Sequence, residues 1–232
     1  KIIQAPILNE VFLVNVEDLD TIKIDVDFHE KERQLKANIT APHINYSGYE
    51  LDSLAFTMDT DKEKFIFDLG FNNIKAGPFN IKKTKIEGNQ ANNELSLNFL
   101  AYDDEEKLIQ IASKITGNRE LLRFHVLPTD LILNKSPWNT PATNEILISE
   151  NKLAFNDFRF TKDNQSIEIT DKLSTISKDH IAIDFNDFKL SEFLSYLNPD
   201  EQFATGNLNG QFIVEEPFTS TGLVADLDIT KL

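Results

Sequence analysis

Apolar and polar residues alternate with a period of two along almost the whole chain, and this limits the fold more than any other feature. Ile22, Ile24, Val26 and Phe28 alternate with Lys23, Asp25 and Asp27, and Leu35, Ala37 and Ile39 with Lys36 and Asn38. The same spacing aligns Phe65, Phe67, Leu69 and Phe71; Leu95, Leu97 and Phe99; Ile109 and Ile111; Ile167 and Ile169; and Ile181, Ile183 and Phe185. Leu208, Phe212 and Val214, followed by Leu223, Ala225, Leu227 and Ile229, complete the series. Successive side chains of a strand point to opposite faces, so each segment carries one apolar and one polar face. That is an antiparallel signature, because strands of a parallel sheet covered by helices are apolar on both faces. The chain is expected to be all-β: one continuous, elongated, curled antiparallel sheet over residues 1–232, of roughly 14 to 17 strands.

Eight glycines stand against 18 phenylalanines. Tight hairpins need positive φ, so a β protein this poor in glycine must use long strands or turn with Asn and Asp. Only one stretch fits a helix. Leu190, Phe193, Leu194 and Leu197 recur at helical spacing, Ser191 suits an N-cap with Glu192 in the first turn, and Asn198-Pro199 stops it. It reads as a short connector with its apolar side on the sheet. Phe155-Asn156-Asp157-Phe158 and Phe185-Asn186-Asp187-Phe188 lie 30 residues apart, and Phe71-Asn72-Asn73-Ile74 echoes them. Apolar parity changes across each pair, which predicts a β-bulge or tight bend there. Segments 134–145 and 198–206 read as loops.

Few residues of the chain are arranged for chemistry. There is no cysteine, which excludes thiolate metal sites, disulfides and cysteine nucleophiles. His29, His43, His125 and His180 lie far apart, without metal-ligand spacing, and no nucleophile-elbow, phosphate-loop or dinucleotide motif occurs. Of the acidic pairs, Asp25/Asp27 and Asp226/Asp228 fall on polar strand faces, and Asp59-Thr60-Asp61 sits at a turn able to hold at most a weak ion. A formal charge of −15 disfavours nucleic acid and anionic bilayers. The reading is of a non-enzymatic protein with no cofactor and no metal. The start at Lys1 suggests an internal piece of something longer.

What remains is the apolar face, a monotonous run of Phe, Ile and Leu suited to hydrocarbon, which asks for width and dryness and offers no hydrogen bonds. Its expected lining is Ile24, Val26, Phe28, Phe65, Phe67, Leu69, Leu95, Leu97, Phe99, Ile167, Ile169, Ile181, Ile183, Phe185, Leu208, Phe212 and Leu227. Asp68, Asn98, Asp184 and Gln211 are expected to point the other way. A closed sandwich, anchored by an inner Trp or Tyr, is the competing architecture.

In the C-terminal half, Leu131-Ile132-Leu133, Ser136-Pro137-Trp138, Leu153-Ala154-Phe155-Asn156-Asp157-Phe158 and Gln165-Ser166-Ile167-Glu168-Ile169 resemble the repeats of TamB-type proteins of the Bacteroidota. Gly206-Asn207-Leu208-Asn209-Gly210 and Gly222-Leu223-Val224-Ala225-Asp226-Leu227 resemble that family's recurring strand pairs. About half of the chain carries these motifs, and the N-terminal half follows only the pattern. Asp171-Lys172-Leu173 departs from them, where such repeats usually place a glycine. The resemblance implies an AsmA-like curled sheet, the β-taco, as a periplasmic portion of a protein anchored in the inner membrane. It also implies transport of phospholipid acyl chains between membranes, outer-membrane biogenesis and a BamA- or TamA-like outer-membrane partner. The piece itself is expected to be monomeric, with contacts through its edge strands. Two alternatives accompany this reading: a chaperone for outer-membrane barrels, and an extracellular β-rich binding module.

Overall fold

The computed structural model describes residues 10, 16–201, 204–219 and 221–230. The chain is all-β, with one short helix among the described residues. It divides into two compact units, 1–109 with 196–201, and 110–195 with 202–232.

The first unit is an antiparallel meander of long strands: β1 (Val16–Leu19), β2 (Lys23–His29), β3 (Gln34–Tyr46), β4 (Tyr49–Thr60), β5 (Phe65–Ala76), β6 (Phe79–Ala91) and β7 (Glu94–Asp103). Strands of up to 13 residues are one answer to scarce glycine. The other is visible in the turns, where Asn92, Asn93 and Asp104 take positive φ. β1 and β2 both pair with β3, along different stretches of it, and β3 to β7 follow in chain order. Start-to-start spacing puts one hairpin in about 30 residues.

β8 (Glu106–Gly117) crosses from the first unit into the second. There its outer part pairs with β9 (Leu122–Val126), which pairs with β12 (Glu145–Ser149) and then β13 (Lys152–Asn156). Two short strands, β10 (Ile132–Leu133) and β11 (Ser136–Pro137), form a side hairpin. A five-stranded sheet follows: β14 (Arg159–Lys162), β15 (Gln165–Thr170), β16 (His180–Lys189), β17 (Asn207–Glu215) and β18 (Gly222–Thr230). The helix α1 (Ser191–Leu197) lies between β16 and β17.

The three expected bulges divide. At Asn186-Asp187 the register shifts between Phe185 and Phe188, and Asp187 takes φ 48°, so Phe188 rejoins the face of Phe185. At Asn156-Asp157 the chain instead leaves one sheet for the other through Asp157 at φ 45°. At Asn72-Asn73 the expectation fails, because the β5 register to both neighbours is the same before and after that pair. The ladder only lapses, at Pro42, Ser53, Asn72 and Lys83, which lie in line across four strands. All four strands change apolar parity together at that line, and a concerted change needs no extra residue.

The helix begins and ends where the sequence predicts, and of its apolar side Leu190, Leu194 and Leu197 are half-buried. Phe193 is exposed, while Glu192 is only 3% exposed, paired with Lys162 at 3.1 Å and accepting from Gln165 at 3.3 Å. Segment 134–145 is also more than a loop. It supplies Trp138 and Asn144 to the interior of the second unit.

Candidate functional site

Cross-strand register assembles the face on which the functional reading rests. In the first unit three rows cross the six strands β2 to β7. Phe28, Leu35, Thr60, Phe65, Gln90 and Leu95 form the first, and Val26, Ala37, Met58, Phe67, Gly88 and Leu97 the second. Ile24, Ile39, Phe56, Leu69, Ile86 and Phe99 form the third. Paired residues of adjacent strands share a face, so all nine expected lining residues of this unit fall on one side. At about 4.8 Å between strands the floor is some 24 Å wide. Gly88 keeps it flat, because a Cβ there would lie 2.0 Å from the Phe67 ring, which lies across it. Phe65 stacks beside Phe67, with centroids 5.3 Å apart.

The opposite face carries Asp25, Asn38, Thr57, Asp68, Glu87 and Asn98 in a single row. Lys85 bridges Asp68 at 2.7 Å and Glu87 at 2.6 Å, and both carboxylates hold its ammonium proton, Asp68 more strongly, so its pKa is raised. Lys85 and the Asn98 amide together hold Glu87 below the usual carboxylate range. Asp68 and Asn98 are thus opposite Phe67, Leu69, Leu97 and Phe99, as the alternation implies. Exposure does not separate the two sets: all six are half-buried. Toward the edge the apolar face opens further, and Ile24, Val26 and Phe28 are 50%, 61% and 65% exposed.

Beyond the line where the ladder lapses, the same face becomes polar. His43, Asp52, Asn73 and Lys82 lie side by side, and Lys82 reaches Asp103 at 3.0 Å. His43 Nδ1 meets Asp52 at 2.6 Å, and this hydrogen bond, more than the surrounding negative charge, raises the His43 pKa. Residues 196–201 settle on this end. The Tyr196 ring stands edge-on to Phe99 at 5.9 Å, and its hydroxyl is 3.5 Å from that of Thr84. Asp200 accepts from Lys82 at 2.7 Å and from Asn80 at 3.1 Å, and Asn198 donates to the Pro78 carbonyl.

The second unit treats its apolar face differently. Val126, Leu131, Trp138, Phe155, Phe158 and Phe188 form a buried cluster, and the expected lining residues Ile167, Ile169, Ile181, Phe185 and Leu208 pack against it. Trp138, 2% exposed, sits 5.9 Å from Phe188. An inner tryptophan between two apolar sheet faces is the sandwich feature, so five of the expected groove residues help to cover a packed core here. Ile183, Phe212 and Ala225 share the same face in cross-strand pairs, as do Phe185, Gly210 and Leu227. Gly210 takes φ 108° with its backbone against Asp226, and a Cβ would lie 2.0 Å from that carbonyl oxygen. At β18 the face opens again, with Leu223, Leu227 and Ile229 exposed.

Asn144 is the structural residue that periodicity could not find. Fully buried, it acts as a piece of strand. Its amide donates to the Val126 carbonyl at 2.7 Å and accepts from the Val126 N–H at 2.9 Å, just before β12 begins. Asp171 and Lys172 cap an edge in a similar way. The Phe155 N–H donates to Asp171, and Lys172 Nζ donates to the Phe155 carbonyl. Both backbone groups of Phe155 are thus satisfied by side chains of the segment that follows β15.

Among the described residues no group of three acidic or histidine side chains is gathered to hold a metal. At the turn after β4, Asp61 accepts the N–H groups of Glu63 and Lys64, which lower its pKa, while Asp59 takes Lys64 and Gln34, so both carboxylates are engaged. No described helix is long and apolar enough to cross a membrane. Compared with protein-family models, curated proteins and solved structures, the chain matches none.

Proposed function

We propose that the chain is a non-enzymatic lipid-conduit segment of a TamB-like, envelope-spanning periplasmic protein, with phospholipid acyl chains lying on the apolar face of β2 to β7. One observation carries this reading: a contiguous apolar floor six strands wide, backed by a charged face and increasingly exposed toward β2. Large exposed apolar patches mark interaction sites in soluble proteins, and a floor of Phe, Ile, Leu and Val without a hydrogen-bonding group at its centre favours hydrocarbon over peptide or sugar. The curled groove, the link between inner and outer membranes and the TamA- or BamA-like partner belong to the same proposal. Mass spectrometry of lipids extracted from protein purified without detergent tests it. Phospholipid is expected in stoichiometric amount, and its absence removes the conduit.

A second reading has its own support. β2 and β18 each pair on one side only among the described residues, and both are exposed. Such edges accept an added strand, as assembly of outer-membrane barrels would require. Cross-linking of a barrel-strand peptide to β18 without bound lipid would favour it.

A further inference from the structure

The geometry points to His180 as a pH-sensitive latch on segment 171–179, closed by the neutral ring and released by its protonation. His180 opens β16 and is buried. Its two ring nitrogens meet two backbone groups of opposite kind in that segment. Nδ1 is 2.8 Å from the Lys178 carbonyl, which can only accept, and Nε2 is 3.0 Å from the Leu173 N–H, which can only donate. One arrangement satisfies both: a neutral ring with its proton on Nδ1. A second proton, on Nε2, would face the Leu173 N–H and abolish that bond.

Apart from its turn bonds, the segment has few other ties. Asp171 and Lys172 hold its start to β13, and the Asp179 carbonyl accepts from Glu216 N–H at its end. Between them, the His180 ring is what fixes Leu173 and Lys178 together. The charged groups around the ring are Asp171, Lys172, Lys178 and Asp179 of the segment itself, Lys152 at the start of β13, and Glu215 and Glu216 from the end of β17. Lys178 is drawn away, to Glu215 at 3.3 Å and Glu216 at 3.4 Å. An open cleft of about 490 Å³, lined by Asn151, Lys178, Asp179, Pro217 and Phe218, borders the segment and is where release would be felt.

Histidine-selective 15N NMR on the whole chain is the test. At pH 8 the latch requires His180 to show a protonated Nδ1 and a bare Nε2. As the pH falls to 5, across the range where histidines titrate, exchange protection of the Leu173 amide, corrected for intrinsic rate, should fall about tenfold, the loss of one hydrogen bond. The Ile169 amide, bonded to the Phe158 carbonyl, should keep its protection and so exclude global unfolding. His180→Gln, which offers a donor and an acceptor but does not titrate, should make the Leu173 protection independent of pH. A proton on Nε2 at pH 8, or Leu173 protection unchanged once the ring is charged, overturns the latch.

Discussion

Phe158→Ala and Phe28→Ala remove the same side chain from two environments. Phe158 is 6% exposed and touches the rings of Phe160, Phe155 and Phe124 at centroid distances of 5.2, 6.2 and 6.3 Å. Truncating a phenylalanine in such a packed site costs about 3–5 kcal/mol, transfer and cavity together. Phe28 keeps only about a third of its surface covered. Full burial of a phenylalanine contributes about 1.5–3 kcal/mol, so roughly 0.5–1 kcal/mol is at stake there. The single tryptophan, Trp138, lies inside the second unit's core and reports that unit alone. At a urea m-value of about 2 kcal/mol/M, Phe158→Ala should lower the fluorescence midpoint by about 1.5–2.5 M. Phe28→Ala should leave that midpoint in place and shift the circular-dichroism transition only slightly. A small effect of Phe158→Ala, or a loss above 2 kcal/mol for Phe28→Ala, would refute the division into a packed core and an exposed face.

Asn144→Leu would strand both backbone groups of Val126, at about 1–3 kcal/mol each, and should lower the Trp138 fluorescence midpoint nearly as far as Phe158→Ala does. Lys82→Met removes the cation held between Asp103 and Asp200. Hydrogen exchange over 196–201 should accelerate by roughly tenfold, the value of a charged hydrogen bond, and unchanged protection would mean that Tyr196 and Asn198 suffice. The raised pKa of His43 fixes a sign. Its stabilising pair with Asp52 is fully present below the unfolded value of about 6.5 and is lost as pH rises through the higher folded value. NMR titration should find His43 above the ordinary range, and Asp52→Asn should bring it down; no change on that substitution would remove Asp52 as the cause.

Alternation made most of the fold legible, because a period of two over long strands leaves little freedom of register. The scarcity of glycine also read correctly, as long strands and left-handed Asn and Asp turns. Register puts Phe67, Leu97 and Phe99 on one side of the ladder and Asp68 and Asn98 on the other, but the two sides are equally half-buried. What alternation cannot reveal is what lies opposite a face. Phe185 and Phe99 carry the same pattern, yet Phe185 packs beside Phe188 against the cluster that contains Trp138, whereas Phe99 meets Tyr196 at the end of a half-buried floor. Trp138 and Asn144 stood in a stretch rich in Pro, Thr and Asn, and their burial follows from tertiary contacts that no period encodes. The concerted parity change at Asn72 looked like a bulge because a single strand cannot show that its neighbours change with it.

Photo-cross-linking reads directly whether acyl chains lie on one face of β2 to β7. A benzophenone amino acid placed in turn at Phe67, Leu97, Asp68 and Asn98, irradiated in cells and analysed by mass spectrometry, should yield phospholipid adducts at Phe67 and Leu97 and none at Asp68 or Asn98. Equal adducts on both faces, or adducts to protein alone at Phe67 and Leu97, would contradict it.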